Sequence, residues 1–123
     1  SNAWIELFLK TDKAQEIKRC IISQECFTSI ISLVEVSNWA VKNNVNEKEM
    51  IRGIMQFSTI LYLNVNITQL AGQINFAKKK LKREWGIADS IIYSTACLND
   101  LKIITKDLDF RNMPNVEMLQ DTL

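Results

Sequence analysis

The sequence predicts an α/β fold, three layers of α/β/α with a mainly parallel central sheet. Two observations carry this. Short apolar, β-branched runs alternate with segments of helical periodicity, which implies right-handed crossovers and helices on both faces of a parallel sheet. An acidic triplet, Glu35, Asp89 and Asp107, is set just past such runs, and in open α/β sheets ligands bind at the carboxyl ends of strands. With 123 residues, 47% of them hydrophobic, the chain can bury one core. The expectation is therefore a single domain over residues 1–123.

The elements follow in order. Trp4, Ile5, Leu7 and Phe8 form a short apolar helical face, and Thr11 or Asp12 is placed to cap a second helix running to about Ile21. The first strand candidate is Cys26 to Ile30. A helix from Ser32 to Lys42 follows, with Leu33, Val36 and Ala40 on one face and Glu35 in its first turn. Asn43-Asn44 closes it. Asn46 with Glu49 three residues later resembles a capping box opening a helix through Met55 and Phe57. Leu61 to Val65 alternates as a second strand. A long helix is predicted over 67–85, with Leu70, Ile74, Ala77 and Leu81 as its stripe and Gly86 just past its end. The next helix has Asp89 in its first turn, with Ile91, Ile92, Thr95, Ala96 and Leu98 behind it. The strand Lys102 to Thr105 leads to Asp107, and a last strand covers Val116 to Leu119 after Pro114.

Composition removes whole classes of chemistry. Without histidine there is no Ser-His-Asp or Cys-His nucleophile, no histidine acid–base ribonuclease and no histidine-rich zinc site. Three glycines allow neither a phosphate-binding loop nor a dinucleotide fingerprint. Cys20, Cys26 and Cys97 are odd in number, lack C-x-x-C spacing and read as free thiols among apolar neighbours. No apolar run of about eighteen residues and no secretory leader is present, so a cytoplasmic protein without a membrane partner is expected. A net charge of +1 argues against coating nucleic acid by bulk electrostatics and leaves a local patch. The dense candidate is Lys78, Lys79, Lys80, Lys82 and Arg83, either a solvated helix terminus or an RNA contact through Lys79, Lys82 and Arg83. Trp4, Trp39 and Phe110 are assigned to the core, and Trp85 is the ring offered for base stacking if exposed.

Each acid alone has a structural explanation: Glu35 and Asp89 in first helical turns favour the helix dipole, and Asp107 suits a turn. Together they point to a site. Carboxylates in one crevice repel unless a cation lies between them, and oxygen-only donors favour Mg²⁺ or Mn²⁺. Asp109 is a fourth candidate ligand, and Thr105 is placed to hydrogen-bond a carboxylate or to serve simply as a β-branched strand residue.

Four segments together resemble the PIN domain, the metal-dependent ribonuclease fold of VapC-type toxins. They are Ala3-Trp-Ile-Glu-Leu-Phe, Thr28-Ser-Ile-Ile-Ser-Leu-Val-Glu35-Val, Gly86-Ile-Ala-Asp89-Ser-Ile-Ile and Ile104-Thr-Lys-Asp107-Leu-Asp109-Phe110. The resemblance covers nearly the whole chain. It implies that Glu35, Asp89 and Asp107 bind the metal, with Asp109 a further ligand, and that the product is RNA ending in 5′-phosphate and 3′-hydroxyl. It also implies a cognate antitoxin and a homodimer, with Trp4, Phe8 and Ile17 available for contacts if they are not core residues. Other PIN-like roles are an RNA-processing nuclease or an inactive protein-binding module. The family begins with a strand ending in an aspartate, and here nothing stands before Ser1; Ser1-Asn2-Ala3 also matches the scar of a cleaved tag. The expectation is a missing first strand and ligand, weak metal binding and an open sheet edge.

Overall fold

The computed structural model describes residues 2–12 and 14–119. The chain divides into two compact units, residues 1–61 with 119–123, and residues 62–118. Each contains one parallel strand pair, so the predicted parallel strands occur as β1–β2 in the first unit and β3–β4 in the second.

In the first unit, α1 (Asn2–Leu9) and α2 (Ala14–Ser23) precede β1 (Phe27–Ser29), α3 (Ile30–Lys42), α4 (Glu47–Phe57) and β2 (Thr59–Leu61). The hydroxyl of Thr11 donates to the Glu6 carboxylate, and the Thr11 carbonyl accepts the Ala14 N–H at 3.0 Å where α2 begins. Ser29 caps α3, its Oγ accepting the Ile31 N–H at 3.2 Å. That start is earlier than the sequence indicated and moves Glu35 out of the first turn, which contains no acid. Asn43 ends the helix, and Asn44 takes a left-handed φ of 57°, a conformation asparagine tolerates. Asn46 caps α4 as predicted, accepting from the Lys48 and Glu49 amides. Val36 and Ala40 of α3 meet Met50 and Ile54 of α4, and Trp4, Ile5, Leu33, Trp39, Val45 and Ile60 pack around them. Both pairs are four residues apart, one turn of an apolar helix face. Ile17 is buried as well, which removes it from the surface.

The second strand lies at Thr59–Leu61, ahead of the predicted 61–65, because Asn64 is committed to capping α5: its Oδ1 accepts the Ile67 N–H at 2.9 Å. In the second unit, α5 (Val65–Lys79), α6 (Ile87–Leu98), β3 (Ile103–Thr105), a 3-10 turn (Leu108–Phe110) and β4 (Val116–Met118) follow. The helix α5 stops six residues short of the predicted 85. Its buried face is Ile67 and Ala71, while Leu81 is 79% exposed beyond its end. Gly86 is the N-cap of α6, not the residue closing α5. Behind Asp89 the buried positions are Ser90, Tyr93, Ser94, Thr95 and Ala96, whereas Leu98 is exposed. The core of this unit is Trp85, Tyr93 and Phe110, bordered by Ile74, Cys97, Ile103, Met113, Val116 and Met118. Cys20, Cys26 and Cys97 are half-buried and form no disulfide among the described residues.

Candidate active site

Asp89 is placed by the start of α6. Gly86 has no side chain with which to close that helix end, so Asp89 reaches back, its Oδ2 accepting the Gly86 N–H at 3.0 Å. This is the carboxylate half of a capping box, at the positive end of the helix. The preceding turn is anchored by Trp85, which is fully buried. Its ring lies against Phe110 with centroids 5.0 Å apart, and its indole N–H donates to Ser90 Oγ at 2.6 Å. Ser90 in turn donates to Asn75 Oδ1 at 3.2 Å. A buried indole needs such an acceptor. Trp85 is thus unavailable for base stacking.

Asp107 is placed by the exit of β3. It caps the 3-10 turn, its Oδ1 accepting the Asp109 N–H at 2.9 Å, while its own N–H donates to Thr105 Oγ1 at 3.0 Å. Buried Thr105 therefore supports the Asp107 backbone. The Asp109 carbonyl accepts from Lys82 Nζ at 3.1 Å. Asp89, Asp107, Asp109 and Thr105 all belong to the second unit; Glu35, half-buried in the second turn of α3, belongs to the first. Among the described residues, no group of three or more His, Cys, Asp or Glu is gathered closely enough to hold a metal ion.

The basic cluster is not uniform. Lys79, Lys80 and Arg83 are exposed, with Lys79 Nζ donating to the Arg83 carbonyl at 3.1 Å and Lys80 Nζ 4.1 Å from the Phe76 ring centroid. Lys78 and Lys82 are half-buried, and Lys78 Nζ stands 5.3 Å from the Trp85 ring centroid. Sequence reasoning missed Lys82 as a structural tie and Trp85 as a core anchor. Nothing local marks either, since both act on residues about 25 positions away. Further along α6, the Tyr93 hydroxyl donates to the Pro114 carbonyl at 2.9 Å. Burial pushes its pKa up to about 12, with a hydrogen bond and charge from Cys97 adding to the effect.

The sequence matches the family model for the PIN domain over residues 1–116. The chain belongs to the PIN domain family. Its fold is shared by solved structures of two other systems. A toxin–antitoxin complex from Klebsiella pneumoniae aligns with a TM-score of 0.77 at 23% identity, over 98% of this chain and 95% of that one. VapBC2 from Rickettsia felis, bound to a promoter DNA fragment, aligns with a TM-score of 0.74 at 16% identity, over 97% and 95%. No curated protein matches the sequence. The four residues the sequence proposes as ligands, Glu35, Asp89, Asp107 and Asp109, are all carboxylates, with no imidazole in the chain. That donor chemistry fits a hard cation such as Mg²⁺ or Mn²⁺.

Proposed function

We propose that this PIN domain is a metal-dependent endoribonuclease that hydrolyses RNA phosphodiester bonds, and that it is the toxin of a toxin–antitoxin pair. The observation that carries the reading is the family match over residues 1–116, which takes in all four candidate carboxylates. It also supports treating the chain as one domain. Nucleases are the general business of PIN domains.

Glu35, Asp89 and Asp107 supply the carboxylates, with Asp109 as a fourth. When bound, a Mg²⁺ or Mn²⁺ ion would supply a water of lowered pKa and positive charge against the scissile phosphate. The Asp109 N–H and the Gly86 N–H, each donating to one carboxylate oxygen, restrict how Asp107 and Asp89 can turn. With no histidine in the chain, carboxylates are the natural proton acceptors beside the reacting water. In this reading exposed Lys79 and Arg83 contact RNA phosphates, and half-buried Lys82 is the less accessible of the three.

The partner reading draws on the first unit. A groove of about 630 Å³ is lined by Trp4, Leu7, Phe8, Met50, Ile54 and Phe57, with Glu49 and Asn46 on its polar side. It suits an amphipathic antitoxin helix with apolar anchors one turn apart and a basic residue opposite Glu49. The structural neighbours are themselves from toxin–antitoxin complexes. A homodimer is supported by Val34 and Val41, seven residues apart on α3 and 62% and 61% exposed. A cytoplasmic setting is in keeping with described helices none of which is long and apolar enough to cross a membrane.

The test is cleavage of end-labelled RNA in Mn²⁺ by wild type and Asp89→Asn. The amide oxygen can still accept the Gly86 N–H, so melting should shift by only a few degrees, the effect of about 1 kcal/mol. Cleavage should be lost. Unchanged cleavage removes the assignment, and tight antitoxin binding by a wild type that cuts no RNA would leave a protein-binding module. Cleavage confined to maturing one precursor RNA, without toxicity, would indicate a processing nuclease.

A further inference from the structure

We infer that Lys82 is a positioning residue, whose ammonium ties the Asp107–Asp109 loop to the turn leading into Asp89. The inference rests on the nuclease reading for its functional meaning, although the tie itself is a feature of the second unit.

Of the cations between residues 78 and 83, Lys82 alone reaches across the sequence to a carboxylate-bearing loop among the described contacts, its Nζ donating to the Asp109 carbonyl at 3.1 Å. Its base is fixed first. The Lys82 N–H donates to the Lys78 carbonyl at 2.8 Å, and the Lys82 carbonyl accepts the Trp85 N–H at 3.3 Å. At the far end, Asp109 is gripped on both sides: its carbonyl by Lys82 and its N–H by Asp107 Oδ1. The ammonium therefore acts on the Asp107 carboxylate through the backbone of Asp109. One residue further on, Phe110 rests on Trp85, which adjoins the Gly86 N–H held by Asp89. Lys82 and the Trp85–Phe110 pair are thus two ties between the same two segments. Only the first is made by a charged, half-buried side chain.

This arrangement makes a prediction of unusual sign. A fixed positive charge beside carboxylates opposes cation binding, so a lysine acting only through its charge should, when neutralised, tighten Mn²⁺ binding. A lysine that positions the loop should, when removed, weaken it, by about tenfold for a group supporting a metal ligand. The experiment compares wild type with Lys82→Met, which keeps the aliphatic stem, and Lys82→Arg, which keeps a donor. The readouts are hydrogen exchange of the Asp109 amide without metal, and the Mn²⁺ dissociation constant by titration.

Lys82→Met should exchange the Asp109 amide several-fold faster and bind Mn²⁺ about tenfold more weakly, with Lys82→Arg near wild type in both. Unchanged Asp109 exchange in Lys82→Met, or tighter Mn²⁺ binding, overturns the inference. If Lys82→Met fails to fold, as judged by circular dichroism, Lys82→Gln takes its place with the same readouts. A wild type that binds no Mn²⁺ would count against the nuclease reading alone, since the exchange measurement still decides the role of Lys82.

Discussion

Replacing Trp85 by alanine removes the side chain on which the second unit is built. Trp85 is fully buried, packed against Phe110 with ring centroids 5.0 Å apart and planes tilted by 56°, and hydrogen-bonded to Ser90 at 2.6 Å. Truncating a buried tryptophan costs about 3 to 5 kcal/mol. The ring pair and the indole hydrogen bond place this site in the upper half of that range, since they contribute about 0.5–1.5 and 1 kcal/mol beyond area burial. A domain's whole stability is about 5–15 kcal/mol, so the variant should lose about a quarter of it or more. Trp85→Phe separates the terms. It keeps a ring against Phe110 and loses the indole donor, while Ser90 retains Asn75 as a partner, so its cost should be about 0.5 to 1.5 kcal/mol plus a small cavity. Urea denaturation followed by circular dichroism measures both without depending on the lost fluorophore. A double-mutant cycle with Phe110→Ala should give a coupling of about 0.5–1.5 kcal/mol. The reasoning fails if Trp85→Ala costs less than about 1 kcal/mol, or if Trp85→Phe costs as much as Trp85→Ala.

Two further outcomes follow from the same structure. Tyr93 holds its proton to about pH 12 in the folded protein against an ordinary 10.0. Its contribution is therefore complete below pH 10 and is lost as pH rises toward 12, so wild-type stability should fall more steeply across that window than that of Tyr93→Phe. At neutral pH Tyr93→Phe should cost about 0.5–1.5 kcal/mol through the lost bond to Pro114, and parallel pH profiles for the two proteins would contradict the assignment. Gly53 lies in α4 on the apolar groove, and a Cβ added there meets no atom within 4 Å. Gly53→Trp should fill the groove while the helix is retained, and weaken antitoxin binding at least about tenfold in calorimetric titration; unchanged affinity would move the docking surface elsewhere.

Much of the first unit was legible because its signals are local. Val36 with Ala40 and Met50 with Ile54 show their shared faces at helical spacing, and Asn46 carries the chemistry that starts α4. The first strand and β3 were found within a residue or two of their observed ends. The stretch from 80 to 86 was not legible. Apolar spacing through Leu81 continues whether or not the backbone remains helical, and glycine is acceptable both after one helix and before the next. The shift of β2 has a similar origin: Leu61 to Val65 alternates in the sequence, but the Asn64 side chain closes a helix end there instead.

By itself the sequence determined the alternation of helices with parallel strands, the family, and the absence of any histidine or phosphate-loop chemistry, because these depend on residue type, order and local periodicity. Tertiary structure alone decided that Trp85 is a buried anchor, that Thr105 serves a backbone amide, and that among several adjacent cations Lys82 turns inward to Asp109. Each of those outcomes is a choice of partner made across space. Neighbouring lysines have the same chemistry, and only the packed fold distinguishes the one within hydrogen-bonding reach of a loop 27 residues away from Lys79 and Lys80, which remain exposed.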